Sequence, residues 1–120
     1  MNEEVIIMPY INFKTNQKLD ESTKIQLKAE LGRAIATIPG KSESYLMVAI
    51  EDSVDMWLGG DQKPLAMIDV KIYGHAKPAD FSRMTGELCK ISKSLVGIDP
   101  DGVYATYEEI DNWGWNGKNF

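Results

Sequence analysis

The chain has 120 residues, of which 43% are hydrophobic and 26% charged. This balance fits one globular domain with an ordinary core and leaves no room for a second. Thirteen Lys and Arg against eighteen Asp and Glu give a net charge of −5, which argues against nucleic acid and anionic membrane surfaces as partners. One cysteine, Cys89, excludes an internal disulfide framework, and with one histidine the usual zinc ligands are too few.

No apolar run approaches the roughly 18 residues that span a bilayer. The run Val5-Ile6-Ile7-Met8 is too short for a signal-peptide core. The expectation is a cytoplasmic, soluble, single-domain protein without a metal or cofactor.

Tyr10-Ile11-Asn12-Phe13 reads as a strand with Ile11 and Phe13 on one face. Asp20 caps a helix from Glu21, whose apolar face is Leu27, Leu31, Ala34, Ile35 and Ile38, and Pro39-Gly40 ends it. Tyr45 to Ile50 is an apolar run of strand length, and Leu58-Gly59-Gly60-Asp61 is a turn. Leu65 to Tyr73 is a further strand, followed by a connector through Gly74 to Pro78.

Pro78 suits the first turn of a second helix, in which Phe81, Met84, Leu88, Ile91 and Leu95 form the strongest apolar stripe. Gly97 ends that helix, and Asp99-Pro100-Asp101-Gly102 is a turn before a strand from Val103 to Tyr107. The tail, Asn112 to Gly117, is polar and aromatic.

The order is strand, helix, strand, twice over. It predicts an α+β fold in which two β-α-β units form a four-stranded mixed sheet with both helices on one face. Val48-Ala49-Ile50 and Met67-Ile68 suggest strands buried on both faces, which two helices on one face leave half covered. The mismatch predicts a homo-oligomer.

Common catalytic motifs, including the P-loop, GxGxxG, GxSxG and HExxH, do not occur. His75, in a Gly-His-Ala-Lys connector, reads as an exposed loop residue.

An ordered set of short features is more informative. Met8-Pro9 opens the first strand and Gly40-Lys41 precedes the segment with Tyr45. Gly59-Gly60, Pro100-Asp101-Gly102-Val103-Tyr104 and Gly114-Trp115-Asn116 follow, with Phe120 at the end. In this order and spacing the chain resembles the macrophage migration inhibitory factor family of the tautomerase superfamily, from Pro9 to Phe120.

The resemblance implies a homotrimer with active sites between neighbouring subunits, each built on an amino-terminal proline that acts as general base without a cofactor. It implies keto-enol tautomerisation of a phenylpyruvate-like α-keto acid. Pro9 would be the base, and Lys41 would lower the pKa of Pro9 and hold the substrate carboxylate. Tyr104 would come from an adjacent subunit. Tyr73, where the family usually has isoleucine, would offer its backbone N–H to substrate. Tyr45, Trp113, Trp115 and Phe120 would form the pocket wall. Thr106 stands where animal members have asparagine, which alters the available contacts. The family's Cys-x-x-Cys positions hold Leu65 and Ile68, so thiol-disulfide chemistry of that kind is not expected.

An internal proline nitrogen is an amide and cannot act as a base. The domain is therefore expected to comprise residues 9–120, with 1–8 an extension arising from start-site choice. Glu3-Glu4-Val5 can be encoded as a bacterial ribosome-binding sequence just ahead of a start codon at Met8, which would point to a bacterial source. Removal of Met8 would then expose Pro9. The competing expectation is a non-catalytic, cytokine-like binding or signalling trimer with a vestigial pocket. Decarboxylation or dehalogenation ranks lower, because those superfamily members usually add an arginine near the proline, whereas Arg33 and Arg83 fall on predicted helices.

Overall fold

The computed structural model describes residues 8–120. The readings made on residues 1–7 lie outside the described residues.

Four strands form one mixed sheet, in the order β2-β1-β3-β4. They are β1 (Pro9–Thr15), β2 (Met47–Glu51), β3 (Ala66–Tyr73) and β4 (Val103–Ile110). β1 runs parallel to β2 and β3 parallel to β4, while β1 and β3 pair antiparallel from Pro9↔Ile72 to Thr15↔Ala66. Each parallel pair is joined through a helix, α1 (Glu21–Ala34) or α2 (Pro78–Val96). Two β-α-β units thus meet along the antiparallel seam, as the element order predicts.

The helices form where the sequence signals them. The Asp20 side chain accepts from the Thr23 amide at 2.8 Å, which satisfies one orphan donor of α1. α1 gives way to a 3-10 turn at Ile35–Thr37 before the predicted Pro39 stop. Pro39 forces the residue before it out of the helical region, and Ile38 is accordingly extended at φ −89° and ψ 117°. α2 starts at Pro78 and ends at Gly97, as read from the sequence.

The core lies between the helices and one face of the sheet. Ile11, Phe13, Ile68, Val70 and Ile72 from β1 and β3 pack with Leu27, Leu31, Ile35, Met84 and Leu88. Each such fully buried side chain contributes roughly 1.5–3 kcal/mol of transfer free energy.

The other face is not the second apolar surface that the runs Val48 to Ile50 and Met67-Ile68 suggested. Exposure alternates along β3: Ile68 is buried and Met67 half-buried. Val48 and Ile50 pack on the helix side, while the open side carries Tyr10, Asn12, Lys71, Asp69 and Thr106. Asn12 donates to Glu51 at 2.9 Å, and the Thr106 hydroxyl to Asp69 at 2.6 Å. Period-two alternation runs the length of β1 and β3 and most of β4, and the open face is amphiphilic, with Met47 and Tyr104 exposed.

The tail holds structure that composition did not announce. Gly114–Trp115 (β5) pairs antiparallel with Lys118–Asn119 (β6) across Asn116 and Gly117, at φ 54° and 85°. Two consecutive positive φ values are the requirement of a tight hairpin turn that Asn-Gly meets.

Candidate active site

Pro9 is buried and opens β1 opposite Ile72. A proline at the first residue of a strand costs the ladder little, since it has no N–H to leave unpaired. The next residue of β3, Tyr73, donates its amide to the Met8 carbonyl at 2.9 Å. The Tyr73 carbonyl accepts from Lys41 Nζ, also at 2.9 Å. The backbone of one residue thus ties the start of β1 to the Lys41 ammonium.

Lys41 gets there because α1 cannot run past Pro39. Gly40 takes φ 81°, open to glycine at no steric cost, and the Lys41 amide closes the turn on the Ile38 carbonyl at 3.1 Å. The Lys41 side chain is then directed inward and is only 8% exposed. That burial pushes its pKa below the ordinary lysine value, because a low-dielectric setting disfavours the charged amine.

Aromatic rings extend from this point. Tyr73 meets Phe120 edge-on with centroids 5.7 Å apart. Phe120 lies 6.3 Å from Trp115, and Trp115 meets Tyr45 edge-on at 5.5 Å. The β5–β6 hairpin presents Trp115, and the Phe120 amide closes on the Trp113 carbonyl at 3.1 Å. The resemblance assigned Tyr45, Trp113, Trp115 and Phe120 to a pocket wall, and the chain brings the rings of Tyr45, Trp115 and Phe120 into one run that ends on Tyr73, with Trp113 joined to it through its backbone. Pro39, Ala76 and Lys77, neighbours in sequence of Lys41 and Tyr73, line a surface cleft of about 510 Å³ together with His75 and Asp80.

Tyr104 and Thr106 are not part of this cluster. Tyr104 pairs with Met67, six residues before Tyr73 along β3. At ~3.3 Å per residue, that separation is about 20 Å. Thr106 sits opposite Asp69 in the middle of the open face. Tyr104 instead lines a groove of about 170 Å³ with Met56, Trp57, Leu58 and Met67. Trp57 and Tyr104 are about 60% and 57% exposed. Sequence reasoning missed Trp57, since a lone tryptophan before a Gly-Gly turn gives no periodic signal.

The remaining chemistry-bearing residues lie elsewhere. Arg33 pairs with Glu30 and Arg83 with Asp80, each within its own helix. His75 is exposed, as expected, and holds Glu109 at 3.2 Å. Cys89 is partly buried, and desolvation raises its thiol pKa. Among the described residues, no group of three or more His, Cys, Asp or Glu is arranged to hold a metal, and no helix is long and apolar enough to cross a membrane.

Residues 8–120 match the family model for macrophage migration inhibitory factor. A macrophage migration inhibitory factor homologue of Brugia malayi is 25% identical over 115 residues, which cover 94% of this chain and 99% of that one. The crystal structure of a Leishmania major macrophage migration inhibitory factor superposes with a TM-score of 0.88 at 27% identity, over 95% of this chain and 98% of that one. A homologue from Prochlorococcus marinus gives 0.78 at 25% identity, over 92% and 98%.

Proposed function

The chain belongs to the macrophage migration inhibitory factor family, and on that premise we propose that it is a cofactor-independent keto-enol tautomerase of phenylpyruvate-like α-keto acids. The catalyst in this reading is the nitrogen of Pro9 as a free chain end, and the working form is a homotrimer. The observation that carries the proposal is the convergence on Tyr73: its amide meets the residue before Pro9, and its carbonyl holds Lys41 Nζ, each at 2.9 Å.

A free Pro9 is a secondary amine. Burial disfavours its protonated form, and so does the Lys41 ammonium nearby. Both effects move its pKa toward neutrality, where a base can be unprotonated yet still competent. The amine takes a proton from the carbon next to the ketone. The C–H electron pair becomes the enol double bond, and the carbonyl π pair moves to oxygen. The Pro9 ammonium then returns its proton to that oxygen, so the reaction is isomerisation without net gain or loss.

Lys41 offers a positive charge to the substrate carboxylate, and the rings of Tyr45, Trp115 and Phe120 offer an apolar wall to its aryl group. Tyr104 of a neighbouring copy completes the site with its phenol, and Thr106 of that copy lies two residues further along the same strand. The separation of about 20 Å within one chain supports supply from a neighbour rather than from the same chain.

The test is a protein that begins at Pro9, assayed for interconversion of the enol and keto forms of phenylpyruvate by ultraviolet absorbance. Turnover is expected, and Pro9→Gly is expected to lower it by about 10²-fold or more. A trimeric Pro9-start protein inactive on phenylpyruvate and hydroxyphenylpyruvate would overturn the assignment.

A further inference from the structure

We propose that Lys71 is a second cation of the candidate site and selects α-keto acids that carry a second carboxylate, a role that rests on the site assigned above but not on turnover there. Lys71 pairs with Tyr10 across the antiparallel seam, one step from the Pro9↔Ile72 pair. It lies two residues before Tyr73 on the same half-buried side of β3, about 7 Å along the strand. Lys71 therefore stands beside the start of β1 and at the foot of the aromatic run that leads from Tyr73 to Phe120.

Its side chain takes an unexpected direction. On β4 the residue opposite Lys71 is Glu108, the ordinary cross-strand partner for a lysine. Among the described residues Lys71 nevertheless forms no ion pair. Its Nζ lies instead 5.9 Å from the centroid of the Tyr10 ring on β1, within the range of a cation–π contact. The ammonium is drawn toward the strand that opens with Pro9 and away from the acidic one. A ring face orients a cation without neutralising it, so the charge stays available to an anion.

Lys41 is placed differently. It comes from the turn after α1, is buried, and donates to the Tyr73 carbonyl at 2.9 Å. The two ammonium groups thus reach the end of the β1–β3 seam from separate segments. A monoacid answers one of them, whereas a diacid answers both while its apolar arm lies on Tyr45, Trp115 and Phe120. The substrate class is then an α-keto diacid with an aryl or similar apolar arm. Tyr10 is a positioning residue, because without its ring Lys71 is free to turn to Glu108.

The experiment titrates a protein that starts at Pro9, by calorimetry at neutral pH, with 3-phenylpropanoate, benzylmalonate and benzylsuccinate. All share a benzyl arm and lack a ketone, so none is turned over, and the two diacids differ in the spacing of their carboxylates. At least one diacid should bind about tenfold or more tighter than the monoacid. Lys71→Met should bring that ratio to about one, while Lys71→Arg, whose guanidinium also stacks on a ring, should keep it. Tyr10→Leu should lower the ratio with Lys71 intact.

Equal binding of monoacid and diacids, failure to bind any of them, or a diacid preference that survives Lys71→Met overturns the role of Lys71. Turnover of phenylpyruvate without a diacid preference overturns it too and leaves the tautomerase reading standing. A Lys71-dependent preference in a protein that turns over no keto acid supports the second cation and removes the tautomerase reading instead.

Discussion

Replacing Lys41 by methionine tests the electrostatics of the site, because it keeps the length and apolar stem of the side chain and deletes only the ammonium. Lys41 Nζ lies 2.9 Å from the Tyr73 carbonyl, next to the strand pair Pro9↔Ile72. A unit charge on the order of 6–8 Å from the Pro9 nitrogen, at an effective dielectric constant of about 20, is worth about 2–3 kcal/mol. That corresponds to roughly 1.5–2 pKa units on the proline amine. The sign follows directly: removing a cation stabilises protonated Pro9, so its pKa rises. In a Pro9-start protein the acidic limb of the kcat/KM–pH profile for phenylpyruvate should then move to higher pH by about 1–2 units. Loss of the charged partner for the carboxylate adds about 1.5–3 kcal/mol, or roughly 10- to 150-fold in kcat/KM above the new limb. Lys41→Arg should leave the limb near its original position. Two effects on stability oppose each other: the Tyr73 carbonyl loses its Lys41 donor, while burial lowers the Lys41 pKa in the fold. A basic group with a depressed folded pKa destabilises the fold while it is protonated, and the cost disappears only as pH rises from the folded toward the unfolded pKa. Methionine removes that cost together with the hydrogen bond to Tyr73, so the two changes offset each other in stability. A limb that stays put in Lys41→Met, with kcat/KM otherwise normal, would refute the electrostatic role of Lys41.

Two further predictions concern the scaffold. Leu88 is fully buried on α2 against the sheet, so Leu88→Ala should cost about 2–5 kcal/mol. For a domain of this size that is a fall of about 10 °C or more in Tm by differential scanning calorimetry, and a change of less than about 2 °C would mean that α2 does not pack as described. Gly117 has φ 85° in the hairpin that carries Trp115. Gly117→Val should strain that turn and blue- or red-shift the tryptophan emission with little loss of Tm. An unchanged spectrum together with unchanged KM for phenylpyruvate would show that the hairpin does not form part of the ligand wall.

The elements legible in the sequence were those with a local physical signature. Asp20 capping α1, Pro78 opening α2 and Gly97 closing it are each decided within a few residues. The apolar stripe of α2 is decided by period alone. What misled the reading was the composition of β2 and β3. Ala49 and Met67 are apolar enough to extend a run, but the pleat turns them away from the core, where Ala49 stands opposite Asn12 and Met67 between Lys14 and Tyr104. The tail hairpin escaped because its strands are only two residues each. The Asn116-Gly117 pair was the available signal, and it becomes decisive only when the flanking segments are tested as strands.

The site was partly legible for a different reason. Pro9, Lys41 and Tyr73 are distant in sequence, and no spacing rule joins them; their approach depends on β1 pairing with β3 and on the turn at Gly40. The resemblance supplied that list, and the fold accounts for it by hydrogen bonds through one residue. Tyr104 shows where a single chain stops. Parallel pairing fixes it opposite Met67, and strand geometry then keeps it at the far end of β3 from Tyr73. No side-chain rotation recovers about 20 Å. A site that uses both ends of this sheet therefore requires two copies, with the Tyr104–Trp57 groove of one set against the Pro9 end of the next. Mixed oligomers of Pro9→Gly and Tyr104→Phe chains would then regain activity only at those junctions that carry both intact residues.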